Sequence, residues 1–173
     1  MDKRDERQIS CCFTGHRPIK LDSSEKEIQS WLECKIDEAI QDGYRVFITG
    51  CAMGVDMWAG QIVLQRRETN PDIRLIAACP WEAMADHWEK EWKDQYDELL
   101  RRSDQVVQIG KHYSKGIYHL RNTWMVDHSN RLIAYYNGTP GGTEKTVKYA
   151  KKSGLEIVQW GVYQQDNDMA GFL

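Results

Sequence analysis

The chain has 173 residues, of which 41% are hydrophobic and 28% charged, and its formal net charge is −3. That length suits one packed domain of ordinary size, and the composition lies far from the low-hydrophobicity, high-charge corner of disorder. A near-balanced charge argues against a broad basic face for nucleic acid while leaving room for a local pocket that takes one or two phosphates. No apolar run approaches the roughly 20 residues needed to span a bilayer.

In chain order, MDKRDERQ (1–8) reads as a flexible N-terminal tail without the apolar stretch of a secretory signal. ISCCFTG (9–15) is a first strand that runs into Thr14-Gly15-His16-Arg17-Pro18. Ser23 and Ser24 precede a helix whose Ile28, Trp31, Leu32, Ile36, Ala39 and Ile40 recur at intervals of three and four, and Gly43 stops it. YRVFITG (44–50) is the second strand, followed by TGCAMGVD, and IRLIAACP (73–80) the third, followed by PWEAM. Ala85, Trp88, Trp92, Tyr96, Leu99 and Leu100 then predict one helix, with Trp88 and Trp92 on its buried face. QVVQIG (105–110) is the fourth strand, leading to GKHYSKG and a helix that carries Arg121 and Asn122. RLIAYYN (131–137) is the fifth, followed by NGTPGGTEKT and a helix ended by Gly154, and LEIVQW (155–160) is the sixth. The expectation is a single α/β domain over 9–162 with a C-terminal tail at 163–173. Its architecture is a Rossmann-like doubly wound sheet, mostly parallel, of about six strands with helices on both faces.

In such a sheet every loop that follows a strand opens on one rim, where ligands bind at the topological switch point. The loops assigned to that rim hold most of the Gly, Thr, Arg and Lys chemistry, whereas QDG, ETNPD and KKSG on the opposite edge read as ordinary turns. Glycine permits close backbone approach, and helix N-termini favour anions. The expected ligand-binding residues are Thr14, Gly15, His16 and Arg17; Thr49, Gly50, Gly54 and Asp56; Trp81; Arg121 and Asn122; and Gly141, Gly142, Thr143 and Thr146. Arg17 and Arg121 supply guanidinium groups for phosphate or carboxylate. Asp56, in the first turn of a helix, either caps free amides or holds ribose hydroxyls, and Trp81 either stacks on a base or lids the core. Trp124 and Met125 read as core. Neither G-x-G-x-x-G nor an adjacent Gly-Lys of a P-loop is present, so dinucleotide oxidoreductase and nucleoside-triphosphate motor readings are set aside.

Taken together, TGHRP, TGCAMGVD, RNTWMVDHS and PGGTEKTV resemble the YpsA-like (YoqJ-like) branch of the SLOG superfamily, which also holds DprA and the LOG enzymes. The resemblance spans about residues 9 to 160 and implies a pocket for a nucleotide or nucleotide-derived ligand, such as an ADP-ribose-type molecule, as a sensor or sequestering protein. One departure bears on catalysis: Lys148 stands where LOG hydrolases carry their second acid. The alternative, a hydrolase of an N-glycosidic or phosphoester bond, falls to Asp56 or Glu144 to activate water, with Arg121 stabilising the leaving group. A DprA-like DNA-binding protein is the third reading, and nucleic acid is the less expected partner because the Arg66-Arg67 and Lys151-Lys152 pairs are balanced by acids.

No cofactor is required by this reading. The five histidines show no H-E-x-x-H, and no metal is expected. Five cysteines (11, 12, 34, 51, 79) without C-x-x-C spacing fit a reduced, cytoplasmic protein, with Cys51 a packing residue. A homo-oligomer is left open.

Overall fold

The computed structural model describes residues 3–160. Strands β1 (Ser10–Gly15), β2 (Val46–Thr49), β3 (Arg74–Trp81), β4 (Gln105–Gly110), β5 (Arg131–Tyr135) and β6 (Glu156–Trp160) form one sheet in the order β4-β3-β2-β1-β5-β6. Every pairing is parallel. The six expected strands are therefore all present, and the sheet is parallel throughout.

Side-chain alternation explains why these runs are apolar at every position. Cys11, Phe13, Phe47, Leu75, Ala77, Ile133 and Tyr135 point to one face, where they meet α2 (Glu25–Gln41), α3 (Val55–Thr69) and α4 (Lys90–Arg102). Cys12, Val46, Ile48, Ile76, Ala78, Leu132 and Ala134 point to the other, under α5 (Ile117–Asp127) and α6 (Gly142–Lys152). The chain winds from β1 outward to β4 and then returns to place β5 beside β1. The switch point thus lies between β1 and β5, and the loops after those two strands border the crevice there.

Helix α2 starts where the sequence marks it. Ser24 accepts from the Glu27 amide at 3.2 Å while the Glu27 carboxylate accepts from the Ser24 amide at 3.1 Å, a reciprocal cap. Gly43 and Gly154 follow the ends of α2 and α6 at φ 98° and 80°.

Two expectations are corrected. Residues 3–8, expected in a flexible tail, form helix α1 (Lys3–Gln8). The Ser10 hydroxyl donates to the Glu6 carbonyl at 2.6 Å, and Arg7 Nε donates to the Ser129 carbonyl at 3.1 Å, so tertiary contacts fix a segment that lacks an apolar pattern. Second, α4 begins at Lys90, and residues 82–88 are successive turns and a bend. Met84 and Ala85 are buried from those turns, so apolar spacing continues there without a helix, while Trp88 and Trp92 face the core as expected, half-buried against it. The expected C-terminal tail at 163–173 lies outside the described residues.

Candidate functional site

A cavity of about 380 Å³ opens at the switch point. Its wall is built from the end of β1 and the turn beyond it (Thr14, Gly15, His16, Arg17, Ile19, Lys20), Ala52 and Asp56 after β2, Tyr118, Arg121 and Asn122 of α5, and Gly141, Gly142 and Thr143 at the start of α6. Ten of the fifteen expected ligand residues therefore share one concavity: Thr14, Gly15, His16, Arg17, Asp56, Arg121, Asn122, Gly141, Gly142 and Thr143.

The β1 loop is shaped by packing before any ligand. A Cβ on Gly15 would lie 2.5 Å from Val55 Cβ, so this glycine lets the first turn of α3 seat against the strand end. Arg17 is extended at φ −66° and ψ 159°, and Pro18 opens a 3-10 turn through Lys20. His16 is 5% exposed, and its Nε2 accepts from the Asn137 amide at 3.2 Å. Burial, with Lys20 nearby, pushes its pKa below the usual histidine value. The ring is thus a neutral brace between the β1 and β5 loops.

The loop after β2 brings an acid and a base together. Gly50 is the point of convergence, since a Cβ there would stand 2.7 Å from both Arg121 Nη1 and Asp56 Oδ2. Arg121, 5% exposed, donates to the Gly50 carbonyl through Nη1 and to Asn122 Oδ1 through Nε at 2.7 Å. Asp56 is 6% exposed; its Oδ2 accepts from the Ala52 amide at 3.4 Å, and its Oδ1 has no hydrogen-bond partner among the described residues. Burial raises the Asp56 pKa to about 6, an effect held in check by Arg121, the Ala52 amide and Arg17.

The start of α6 is chemically open. Its N-cap is Gly141, with no side-chain cap, and the first helical bond runs from the Lys145 amide to the Gly141 carbonyl at 3.2 Å. The amides of Gly142, Thr143 and Glu144 are left as free helix donors. Lys20 Nζ stands over this turn, 3.7 Å from where a Gly141 Cβ would be.

Five expected ligand residues lie off the cavity wall. Thr49 is fully buried and donates to the Asp56 carbonyl at 2.7 Å, which fixes the entry to α3. Thr146 donates back to the Gly142 carbonyl at 2.8 Å. Gly50 acts through its carbonyl behind Arg121, and Gly54, at φ 91°, faces Pro18. Trp81 packs edge-on against Tyr113 and Tyr118, each at 5.2 Å between centroids, and supports the wall instead of lining it. Glu144, the other acid expected to activate water, does not line the cavity and pairs with Lys148 at 2.6 Å one turn along α6. Met125 is core, as expected, Trp124 is partly buried beside it, and Cys51 is a fully buried packing residue.

Sequence reasoning missed Lys20 and Tyr118. Tyr118 lies three residues before Arg121 on α5, a spacing that places both on one helix face. Its ring sits beneath two guanidinium groups, with Arg17 Cζ at 5.5 Å and Arg121 Cζ at 5.9 Å from the centroid. Lys20 follows Pro18 by two residues and is carried over α6 by the 3-10 turn.

A fully parallel, doubly wound sheet with a cavity at its switch point defines a Rossmann-like α/β protein. Residues 11–162 match the YspA SLOG family (YpsA), and the chain belongs to it. A UPF0398 protein of Bacillus cereus (strain G9842) is 27% identical over 159 residues, covering 87% of this chain and 86% of the relative. Among solved structures, DNA processing protein A from Helicobacter pylori superposes with a TM-score of 0.61 at 16% identity, over 90% of this chain and 66% of that one. DprA from Streptococcus pneumoniae gives 0.52 at 15%, over 87% and 58%. These two likenesses are of fold, and the chain spans less than two thirds of either protein. The Helicobacter protein has a single-stranded DNA binding mode, so the expectation against a nucleic-acid partner gains nothing from this neighbour. No helix among the described residues is long and apolar enough to cross a membrane.

Proposed function

We propose that the switch-point cavity binds a small phosphorylated, nucleotide-derived ligand, of the ADP-ribose or mononucleotide type, and that the protein acts as a sensor or sequestering protein for it. The observation that carries this reading is the meeting of two exposed cations with an uncapped helix start. Arg17 and Lys20 are exposed and form no ion pair within 4.0 Å among the described residues. Both cations line the same cavity as Gly142 and Thr143. A phosphate seated on those amides gains directed N–H donors, the positive end of α6 and two mobile charges.

Titration calorimetry with AMP and ADP-ribose tests this. Binding to the parent chain, weakened about 10- to 100-fold by Arg17→Ala and reduced by added salt, supports the reading. No binding, or an unchanged affinity in Arg17→Ala, refutes it. Hydrolysis would rest on Asp56, since it is the acid on the cavity wall among the described residues. Release of free base or ribose phosphate during the same titration, followed by chromatography, reveals it. The fold likeness to DprA supports a second reading, single-stranded DNA binding, for which a salt-dependent gel shift that AMP does not compete is the signature.

A further inference from the structure

Resting on the reading of the cavity as a phosphate-ligand site, we infer that Asp56 is the specificity residue for the neutral half of the ligand, and that it selects a sugar bearing vicinal hydroxyls over its deoxygenated counterpart. The Asp56 carboxylate lines the cavity, yet its Oδ1 is buried and unpartnered. A buried acceptor without a donor is costly and persists where a ligand supplies the missing bond.

The neighbours do not supply it. Arg121 spends Nη1 on the Gly50 carbonyl and Nε on Asn122, and it forms no ion pair with Asp56 within 4.0 Å. Thr49 spends its hydroxyl on the Asp56 backbone, and the Ala52 amide reaches only Oδ2, at 3.4 Å. Rotation about the soft terminal torsion of the side chain exchanges the two oxygens, so whichever one the Ala52 amide does not reach is left without a donor.

The charge around the carboxylate decides the class of donor. Arg17 and Arg121 both act electrostatically on Asp56. A third cation entering beside two guanidinium groups is repelled by them, and an ionised phosphate, although Arg17 attracts it, carries no hydrogen to donate to the carboxylate. What fits is a neutral group that donates hydrogen bonds. A ribose joined to a phosphate held at Gly142, Thr143 and Lys20 has that character, and Asp56 lines the same cavity as those residues.

The test compares AMP with 2′,3′-dideoxyadenosine monophosphate by calorimetry on the full chain. The parent protein is expected to bind the dideoxy compound about 10- to 100-fold more weakly, because an ionised acceptor is left unpaired. Asp56→Ala brings the two ligands to within about threefold of each other, and Asp56→Asn, which keeps the shape, gives an intermediate ratio. Inorganic pyrophosphate binding reports on the anion half and on folding, and it is expected to survive in both variants. Equal affinity of the two nucleotides for the parent, with Arg17→Ala weakening both alike, overturns the role of Asp56 and leaves the phosphate reading standing. A ratio that persists in Asp56→Ala overturns it as well. Failure of both nucleotides and of pyrophosphate to bind the parent overturns the phosphate reading together with this one.

Discussion

Arg121 and Arg131 are equally hidden, at 5% and 6% exposure, but they sit at opposite ends of the sheet and are treated in opposite ways. Arg131, at the start of β5, donates to Glu156 through Nε and Nη2 at 3.0 and 2.9 Å and to Asp42 at 2.7 Å, and its guanidinium lies 4.6 Å from the Tyr44 ring. Arg121, at the rim, has neutral oxygens as its partners and no carboxylate within 4.0 Å among the described residues. The first charge is neutralised within the fold and ties α2, β5 and β6 together. The second is held in place without being neutralised, so its field reaches the cavity. Helix starts differ too: α2 is closed by Ser24 and Glu27, whereas α3, α4, α5 and α6 have no side-chain cap, and of these α3, α5 and α6 begin behind glycine and lend residues to the cavity. Among the described residues, the candidate cavity holds one of two buried polar atoms without a partner, Asp56 Oδ1, the other being Ser129 Oγ away from it.

The largest effect expected from breaking that contrast is at the saturated end. Arg131→Met should cost about 3 kcal/mol in urea denaturation, because two carboxylates lose their partner. Both acids are more than half exposed, which keeps the loss at the low end for a broken buried pair. AMP affinity should be unaffected.

Asp56→Asn works in the other direction. The carboxyl of Asp56 ionises near 3.8 when exposed and at about 6 in the fold. Between those values the folded state holds a proton that the unfolded state has lost, so stability falls as pH rises through this window, and the full penalty stands above about pH 6. Removing the charge should therefore raise stability at pH 7, by at most about 3 kcal/mol, while weakening binding. The gain should shrink as the denaturation series is taken down to pH 4. A variant that is less stable than the parent at pH 7 would show Asp56 to be a structural acid, which erases the contrast.

Ser24→Ala should cost about 1 kcal/mol by opening the closed helix start, again with no effect on binding. Glu144→Gln should change stability by less than about 0.5 kcal/mol and leave AMP affinity within twofold of the parent, since its partner Lys148 is a surface group away from the cavity. A marked loss of binding in Glu144→Gln would return that acid to the site.

Much of this organisation was legible in the chain. Each strand is a short apolar run closed by Gly, Pro or Asn, and most of the Gly-, Thr- and Arg-bearing positions singled out in the loops that follow them do gather around one cavity. What residue types leave open is which partner a polar group takes in the fold. A hydroxyl that bonds its own backbone, as at Thr49 and Thr146, looks the same in sequence as one offered to a ligand. Polar α1 is held by long-range contacts of Arg7 with Ser129 and of Glu6 with Arg74, which no local pattern reveals. Met84 and Ala85 keep helical spacing while buried from turns, because period alone does not separate a helix from a packed loop. Lys20 reaches the site through the 3-10 turn at Pro18, a path that the residue types do not encode.

The most direct measurement is a backbone-amide NMR titration of the full chain with AMP. The account predicts that the resonances of Gly15, Gly142 and Thr143 move together, along one saturating curve, and that Arg17→Ala shifts that curve to higher concentration. Changes centred instead on the groove beside Arg74, Gln105 and Trp124 at the other end of the strands, with the α6 amides still, would contradict it.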